Sequence, residues 1–278
     1  MATVSDLRLE LDDATTLRLI SSAFTEASAA RIQKIKRLFE TNKQFYDEIS
    51  HVYHLVRVSK SVSDEVKKKI EPPKKTLSVA VTSNQRFYGS LNVNVMHSFI
   101  DAIQSIDTDV LVIGTTGHDL IHSNRFSKRY DTLSFAHDNP TTDETRTFLD
   151  KTTPYEKVIV HFPKFVTLVT QVAGNMDITQ AVSGGSNDPE DEVHILFEPE
   201  YQKILEFFQR QVRSLLFLHV MLESDLSRTA ARLIAMSGAE DRSDKLIKQK
   251  SSELRKIQAS IANAKLLETF AGITKWKK

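Results

Sequence analysis

Two residue pairs in this chain have the type and spacing of a chemical site. Gly114 and Gly117 follow a β-branched run and precede a segment with a helical pattern, as in a phosphate-binding turn. His118 and His122 are four residues apart, so on a helix both imidazoles would lie on one face and could hold a metal ion. No third ligand has a matching spacing, and two glycines also suit a plain strand-to-helix turn. We therefore expect a structural turn and surface histidines at these positions.

The sequence lacks the motifs of the common nucleotide and metal enzymes. It contains neither a GxxxxGK(S/T) loop nor an HExxH helix, and it has no cysteine to act as nucleophile or zinc ligand. An acidic run at 188–192 lacks the residue order of a calcium-binding loop, so we expect a solvated loop there. The lysines at 67–69 and 74–75 have no interleaved aromatic residues, which argues against a nucleic-acid-binding patch. We expect no catalytic residue, no metal and no cofactor, and hence a structural or force-transmitting role rather than an enzyme.

The composition indicates a soluble globular protein. Lys and Arg number 37 against 36 Asp and Glu, so no overall charge attracts the chain to nucleic acid or anionic lipid. No apolar stretch approaches the roughly 20 residues that cross a bilayer. Neither a secretion signal nor a transit peptide is visible at the N-terminus. We expect no nucleic-acid partner and no direct insertion into a membrane.

The first third of the chain has the pattern of one long helix. Residues 1–71 contain neither glycine nor proline, and Pro72 and Pro73 end the segment. A coiled-coil seam follows an alternation of three and four with one polar member, at Ile32, Ile35, Phe39, Asn42, Tyr46, Ile49, Tyr53 and Val56. An earlier seam is shifted by one residue, which predicts a stutter, at Leu17, Ile20, Phe24 and Ala27.

The last third returns to a helical pattern. Glu198 and Pro199 suit a helix start, since proline is tolerated in the first turn. One apolar face then contains Phe208, Val212, Leu215, Leu222, Leu226 and Leu233. We expect a break at Ser237 and Gly238. After it the face continues with Leu254, Ile257, Ile261 and Ala264.

The middle of the chain has the shorter period of strands. Apolar, β-branched runs occur at 76–82, 109–115, 157–162, 165–172 and 193–197, and a helical pattern lies at 91–106. The fold class is therefore α/β with long terminal helices. Neither helix of about 70 residues can bury its stripe alone, so we expect an antiparallel two-helix coiled coil with an inserted Rossmann-like α/β domain. The predicted domains are 1–74, 75–198 and 199–278.

Four motifs of the last third occur in the order and at the intervals of a known family. They are an E-P start, an L-x-E-S step, an A-A-R segment ending in A-M, and an A-x-D, at 198–199, 222–224, 230–236 and 239–241. In the middle, G-S-L-N at 89–92 and the Gly114–Gly117 spacing also match. On these motifs the chain resembles the γ (central rotor) subunits of F-type ATP synthases, and the likeness in architecture extends over essentially the whole chain.

The chain also departs from the family pattern. The basic first helix with K-I-T-x-A-M reads L-I-S-S-A-F at 19–24, and Asp12 and Asp13 add negative charge nearby. Asn84, Gln85 and Arg86 replace D-R-G, and the arginine of R-Q-A-x-I is displaced from 257. With these differences the chain resembles a divergent member of the family, of the kind expected in an alternative F-type or F-type-like ATPase.

The resemblance implies a rotor shaft with no active site of its own. In the family, both terminal helices turn inside a hexamer of α and β subunits, the α/β domain lies against ε and the c-ring, and catalysis takes place on β. Ion translocation through the membrane ring is thereby coupled to ATP synthesis or hydrolysis. The subunit is peripheral, on the cytoplasmic side of the bacterial inner membrane, as part of a membrane complex. The family pattern assigns hexamer contacts to Arg232, Met236, Arg255 and Gln258.

The sequence leaves two alternatives to the rotor function. A coiled-coil adaptor with an inserted α/β ligand-binding domain would need a small-molecule pocket, for which the Gly114–Gly117 turn is the candidate. A γ paralogue in an F-type-like motor with another role would explain the altered N-terminus.

Overall fold

In a computed structural model, which describes residues 3–58, 75–104, 106–124, 126, 128–179 and 201–276, two long helices flank a small sheet. Helix α1 is Val4–Val58 and helix α5 is Tyr201–Trp276. The predicted long terminal helices are therefore confirmed. The predicted break at Ser237 and Gly238 is wrong, because α5 runs through both residues. One glycine costs a helix only about 1 kcal/mol, which its neighbours in a long helix offset.

Between the long helices, the described residues form five strands and three short helices. In chain order they are β1 (Thr76–Val81), α2 (Leu91–Ile103), β2 (Asp109–Ile113), α3 (Thr115–Ser123), β3 (Asp131–Leu133), α4 (Thr142–Thr152), β4 (Lys157–Phe165) and β5 (Gln171–Asp177). The sheet order is β3-β2-β1-β4-β5, parallel except for the antiparallel β4–β5 pair. This is the α/β topology that the sequence predicts.

One predicted strand is wrong. The run at 165–172 contains a hairpin turn, in which the amides of Val166 and Thr167 donate to the carbonyl of Thr170. The Thr167 hydroxyl also accepts from two following amides, so a local side-chain bond displaces the strand to 171–177. The predicted strand at 193–197, the helix start at Glu198 and the helix end at Pro72 lie outside the described residues. The domain boundaries at 74 and 198 remain predictions.

The sheet is covered on both faces. Successive side chains of a strand point to opposite faces, and apolar residues of β1 point to both. On β1, Val79 and Val81 face a cluster that includes Phe217 and Val220 of α5, whereas Ala80 faces a cluster with α2 and α3. The Phe148 ring of α4 stacks on Phe217 with centroids 3.9 Å apart. Helix α5 thus supplies one of the two layers over the sheet.

The chain divides into two compact units. The end unit is Met1–Ala29 with Arg232–Lys278, and the sheet unit is Ala30–Ala231. In the end unit the buried face of α1 repeats every seven residues, at Leu7, Ala14, Ser21 and Ser28. The predicted shifted seam is wrong, because Leu17 is 56% and Ile20 49% exposed. Small residues take the inner positions, where they let the two helices approach closely.

The predicted seam residues differ in burial. In the sheet unit Ile35 is buried, whereas half-buried side chains occur at Ile32, Phe39, Ile49 and Leu222. In the end unit Leu233 and Ile257 are half-buried. Ile261 is 54% exposed and lies outside the helix pair, since every residue of α5 from 258 to 272 is exposed. The side chain of Tyr46 lies outside the described part of the chain.

Candidate functional site

The Gly114–Gly117 turn holds α3 against the end of β1 and has no free first-turn amide to offer a phosphate. Gly114 has a φ of +98°, which favours glycine, and a Cβ at Gly117 would lie 2.5 Å from the Thr82 hydroxyl. Three first-turn amides of α3 donate to β1 and the loop after it: Thr115 to Asn84, Thr116 to Ser83 and Gly117 to Thr82. The turn is structural, as the sequence predicts.

The two histidines of α3 lie on the surface. The ring centroids of His118 and His122 are 6.4 Å apart, and both side chains are exposed. Within the described ranges, no group of three or more His, Asp or Glu side chains is placed to hold a metal ion. In the same part of the chain, no helix is both long and apolar enough to cross a bilayer.

One cleft of about 370 Å³ opens at the amino ends of β1 and β2. Its polar wall includes Asp109, Arg129, Asp131, Lys151 and Tyr155. The Tyr155 hydroxyl donates to Asp109 at 2.9 Å, and burial together with this carboxylate raises the pKa of Tyr155 to about 12. Ligands of open α/β sheets bind at the carboxyl ends of the strands, so this cleft lies at the opposite edge.

The most elaborate polar arrangement lies where α5 crosses the carboxyl edge of the sheet. Glu223 of the L-x-E-S motif is buried and accepts from the amide of Phe165 at 3.3 Å. His219 Nε2 lies 3.8 Å from its other oxygen, and the His219 ring packs on Phe39 of α1 with centroids 4.7 Å apart. Burial raises the pKa of the Glu223 carboxyl. This motif therefore joins α5 to the end of β4 and to α1.

Asp225 connects three elements. Arg31 of α1 donates from Nη2 to both of its carboxylate oxygens at 3.0 Å. Asn139, in the loop before α4, donates to Oδ2 at 2.7 Å. Although burial opposes the charge of Arg31, the Asp225 carboxylate raises the pKa of the guanidinium. Helix α1, helix α5 and the sheet domain (residues 76–179) thus meet on one buried carboxylate.

Arg228 lies one turn further along α5 and is 0% exposed. Its Nη1 donates to the carbonyl of Thr82 at 3.1 Å, and its Nη2 to the carbonyl of Asp138 at 3.2 Å. The Asp138 carboxylate in turn accepts from the amide of Asn84 at 2.8 Å and from the Tyr88 hydroxyl at 2.6 Å. A buried cation on α5 therefore holds the end of β1 and the loop before α4 together.

We call five of these residues the clamp: Arg31, Asp138, Asn139, Asp225 and Arg228. It contains two cations, two carboxylates and an amide, and no side chain in it is placed as a nucleophile beside a general base. Its hydrogen bonds and ion pair attach the sheet domain to helices α1 and α5. Sequence analysis missed it, because a single charged residue on a helix gives no signal of burial; the only available hint was that Asp225 and Arg228 fall between two family motifs.

The four predicted hexamer contacts are all in the end unit but differ in exposure. The Arg232 guanidinium lies 5.7 Å from the centre of the Phe24 ring of α1. Met236 is 9% exposed and packs within the helix pair. Arg255 and Gln258 are exposed on α5. The structure thus leaves Arg255 and Gln258 most accessible, while Arg232 and Met236 also serve the pair itself.

Comparisons with known proteins agree with this architecture. The family model described as ATP synthase matches residues 3–274. The ATP synthase gamma chain of Macrococcus caseolyticus is 23% identical and covers 98% of this chain and 98% of its own length. That of Clostridium novyi is 22% identical, with 91% of each chain covered.

Solved structures give the same fold. The central stalk/c-ring structure of the Tetrahymena thermophila mitochondrial ATP synthase matches with a TM-score of 0.59 at 17% identity, covering 79% of this chain and 99% of that one. A chain of the Euglena gracilis mitochondrial ATP synthase matches with a TM-score of 0.56 at 16% identity, covering 91% and 94%. The long helix pair and the five-stranded sheet are thus similar to those of rotary ATP synthase chains.

Proposed function

This chain belongs to the ATP synthase family, and from that premise we propose that it is the central rotor shaft of an F-type ATP synthase or ATPase. The observation that carries the proposal is the family match over residues 3–274, which includes both long helices and the sheet between them. Relatives named ATP synthase gamma chain match along nearly their whole length. The protein couples ion translocation to ATP synthesis or hydrolysis.

The partners follow from this role. The α and β subunits form the hexamer around the helix pair, and the ε subunit and c-ring contact the sheet domain. Catalysis takes place on β, and the chain binds no nucleotide or metal. The chain is peripheral and belongs to a membrane-associated complex, on the cytoplasmic side of the inner membrane in a bacterial host.

The exposed end of α5 supports the assignment of hexamer contacts. Arg255 and Gln258 lie on its accessible surface, so they can reach a partner directly. Arg232 contributes beside Phe24, and Met236 supports the surface from within the pair. Polar contacts of this kind allow sliding while they keep register, which a turning shaft needs.

The test is affinity purification of the tagged full-length chain from its native host, with mass spectrometry and an ATPase assay. We expect α and β in excess over the chain, together with ATPase activity. Recovery of the chain alone or with unrelated proteins would refute the rotor assignment. Recovery with α- and β-like subunits that do not couple ATP to ion transport would instead support the paralogue of a motor with another role.

The contact assignment has its own test. Arg255→Ala should lower the ATPase rate of the purified complex, because it removes a contact with the hexamer. Lys256→Ala is the matched control, since Lys256 is the next residue of α5 and is also exposed. Equal rates for both variants would remove Arg255 from the contact surface.

A further inference from the structure

The sheet domain is attached to the long helices by charges that are buried and shared between elements. Asp225 is 3% exposed, and its carboxylate binds Arg31 of α1 and Asn139 of the sheet domain at once. Three residues later on α5, Arg228 binds backbone carbonyls at 82 and 138. Residues three apart lie on one face of a helix, so a single face of α5 makes both attachments.

This arrangement is more specific than hydrophobic packing. The apolar layer between α5 and the sheet also holds the two together, but such contacts are non-directional. A buried guanidinium or carboxylate is most stable in an orientation that pairs its donors and acceptors. In Arg228 the bonds of Nη1 and Nη2 set that orientation, while Nε has no hydrogen-bond partner among the described residues. The clamp therefore selects one rotational setting of the sheet domain about the helices.

We propose that Asp225 and Arg228 are positioning residues that fix the angular phase of the sheet domain relative to the parts of α1 and α5 that belong to the sheet unit, residues 30–58 and 201–231. This inference rests on the proposed function, in which the sheet domain takes up torque from the ring and the helices deliver it to the hexamer. A fixed phase makes each ring position correspond to one orientation of the shaft. Loss of the clamp permits slack, that is, small rotations of the sheet domain relative to the helices. The two remain attached, because the chain is continuous.

A second ion pair provides a matched control. Arg210 of α5 and Asp150 of α4 also join the helix to the sheet domain, at 3.1 Å, but their side chains are 66% and 59% exposed. An exposed pair contributes little. In the clamp the Asp225 side chain is 5% exposed and that of Arg31 45%, so loss of Arg31 removes the cation that faces a buried carboxylate and has a larger effect than loss of an exposed pair. Asp225→Asn and Asp150→Asn therefore make the same chemical change in two environments.

The first measurement is a distance. The chain has no cysteine, so when the chain is labelled before assembly, spin labels at Ser98→Cys on α2 and Lys43→Cys on α1 are its only labels. Both positions are exposed and lie in the sheet unit. In the assembled complex we expect Asp225→Asn and Arg31→Gln each to broaden the distribution of label distances, with Asp150→Asn giving the parent's width. The double variant Asp225→Asn with Arg31→Gln should broaden the distance distribution by less than the sum of the two single broadenings, because neither charge is then left without its partner.

The second measurement is the number of ions pumped per ATP hydrolysed, alongside the amount of complex recovered. We expect the ratio to fall in both single variants with recovery unchanged, because slack wastes part of each step. A merely structural role would lower recovery and leave the ratio of the remaining complex intact. Unchanged distances and an unchanged ratio in Asp225→Asn and Arg31→Gln would overturn the proposal, as would an equal effect of Asp150→Asn.

Failure of the two proposals is distinguishable. A parent chain that does not co-purify with α and β refutes the rotor function. The distance measurement on the full chain alone then still decides whether the clamp fixes the sheet domain, and unchanged widths there would overturn that part as well.

Discussion

The same two helices pair in both compact units, but different chemistry joins them. In the end unit, Arg18 binds Asp244 and Glu10 binds Lys250, each at 2.7 Å, and the first pair is 43% and 44% exposed. In the sheet unit, Asp225 and Arg228 are almost completely buried. Exposed ion pairs contribute about 0–1 kcal/mol, whereas a buried charge is costly once its partner is removed.

This difference follows from what surrounds α5. In the sheet unit the helix also covers a sheet, so its charged face is closed off from water and every charge needs a partner. In the end unit, as far as the described residues show, α1 is the element that packs against it, and the side chains of both ion pairs remain partly exposed. We therefore expect the sheet unit to respond strongly to single substitutions and the end unit to tolerate them.

The largest effect is expected for Arg228→Leu. The variant leaves the carbonyls of Thr82 and Asp138 without their donor inside a closed site. We expect the free energy of unfolding to fall by about 3–5 kcal/mol. Urea denaturation of the full chain followed by circular dichroism measures it. A loss below about 1 kcal/mol would mean that water replaces the guanidinium and that the sheet unit is less closed than its burial indicates.

Acid should destabilise the sheet unit through His161. Burial lowers the pKa of His161 from 6.5 to about 4, so the unfolded chain binds this proton more tightly. The contribution of His161 to stability is fully present above pH 6.5 and is lost as the pH falls towards 4, by about 3 kcal/mol in all. We expect the difference in unfolding free energy between parent and His161→Gln to change over that window. A difference that is constant from pH 7 to 4 would contradict the shift.

One glycine in each unit allows the same substitution to be compared in closed and open surroundings. At Gly117 an added methyl would meet Thr82 Oγ1 at 2.5 Å and Val112 Cγ1 at 2.8 Å, so Gly117→Ala should cost about 1–3 kcal/mol. At Gly272, in the end unit, an added Cβ would meet nothing within 4 Å among the described residues apart from its chain neighbours and the backbone of its own helix, and alanine should favour the helix slightly. Thermal melting of both variants measures the contrast. Melting temperatures that shift equally would show that α3 adjusts to the methyl.

The smallest effect is expected for Asp244→Asn. The pair with Arg18 is solvent-exposed, so its loss should change stability by less than about 1 kcal/mol and by still less at high salt. Urea denaturation at low and high salt checks this. A loss comparable with that of Arg228→Leu would erase the distinction between the two units.

Long patterns in the sequence predicted much of the fold. The helical ends, the strands at β1, β2 and β4, and helix α2 follow from periods sustained over many residues. Helix α4 was missed although its capping box is visible, since Thr141 and Glu144 bond reciprocally across its first turn. Strand β3 was missed because its three residues are too few for any period.

The failures at the helix pair and the clamp have a common cause. Leu17 and Ile20 are more apolar than Ala14 and Ser21, so a prediction based on hydrophobicity places the outer face of α1 against its partner. In the structure the face with the small residues Ala14 and Ser21 is the buried one. Likewise Asp225 and Arg228 read as solvated charges until the sheet covers them. Ile261 fits the apolar pattern of α5, yet no residue of α1 described here lies opposite it.

The separation of Arg31 and Asp225 has a consequence for synthesis on the ribosome. The two residues are 194 positions apart, so α1 emerges long before the helix that pairs with it. The five described strands are made first, yet the sheet face that α4 covers in part stays incompletely covered until Phe217 and its neighbours leave the exit tunnel. We expect nascent chains stalled before Tyr201 to be cleaved readily by protease and bound by chaperones, and chains extended past Ala231 with the tunnel cleared to resist. The sheet unit thus completes its folding only after residues up to Ala231 have left the tunnel.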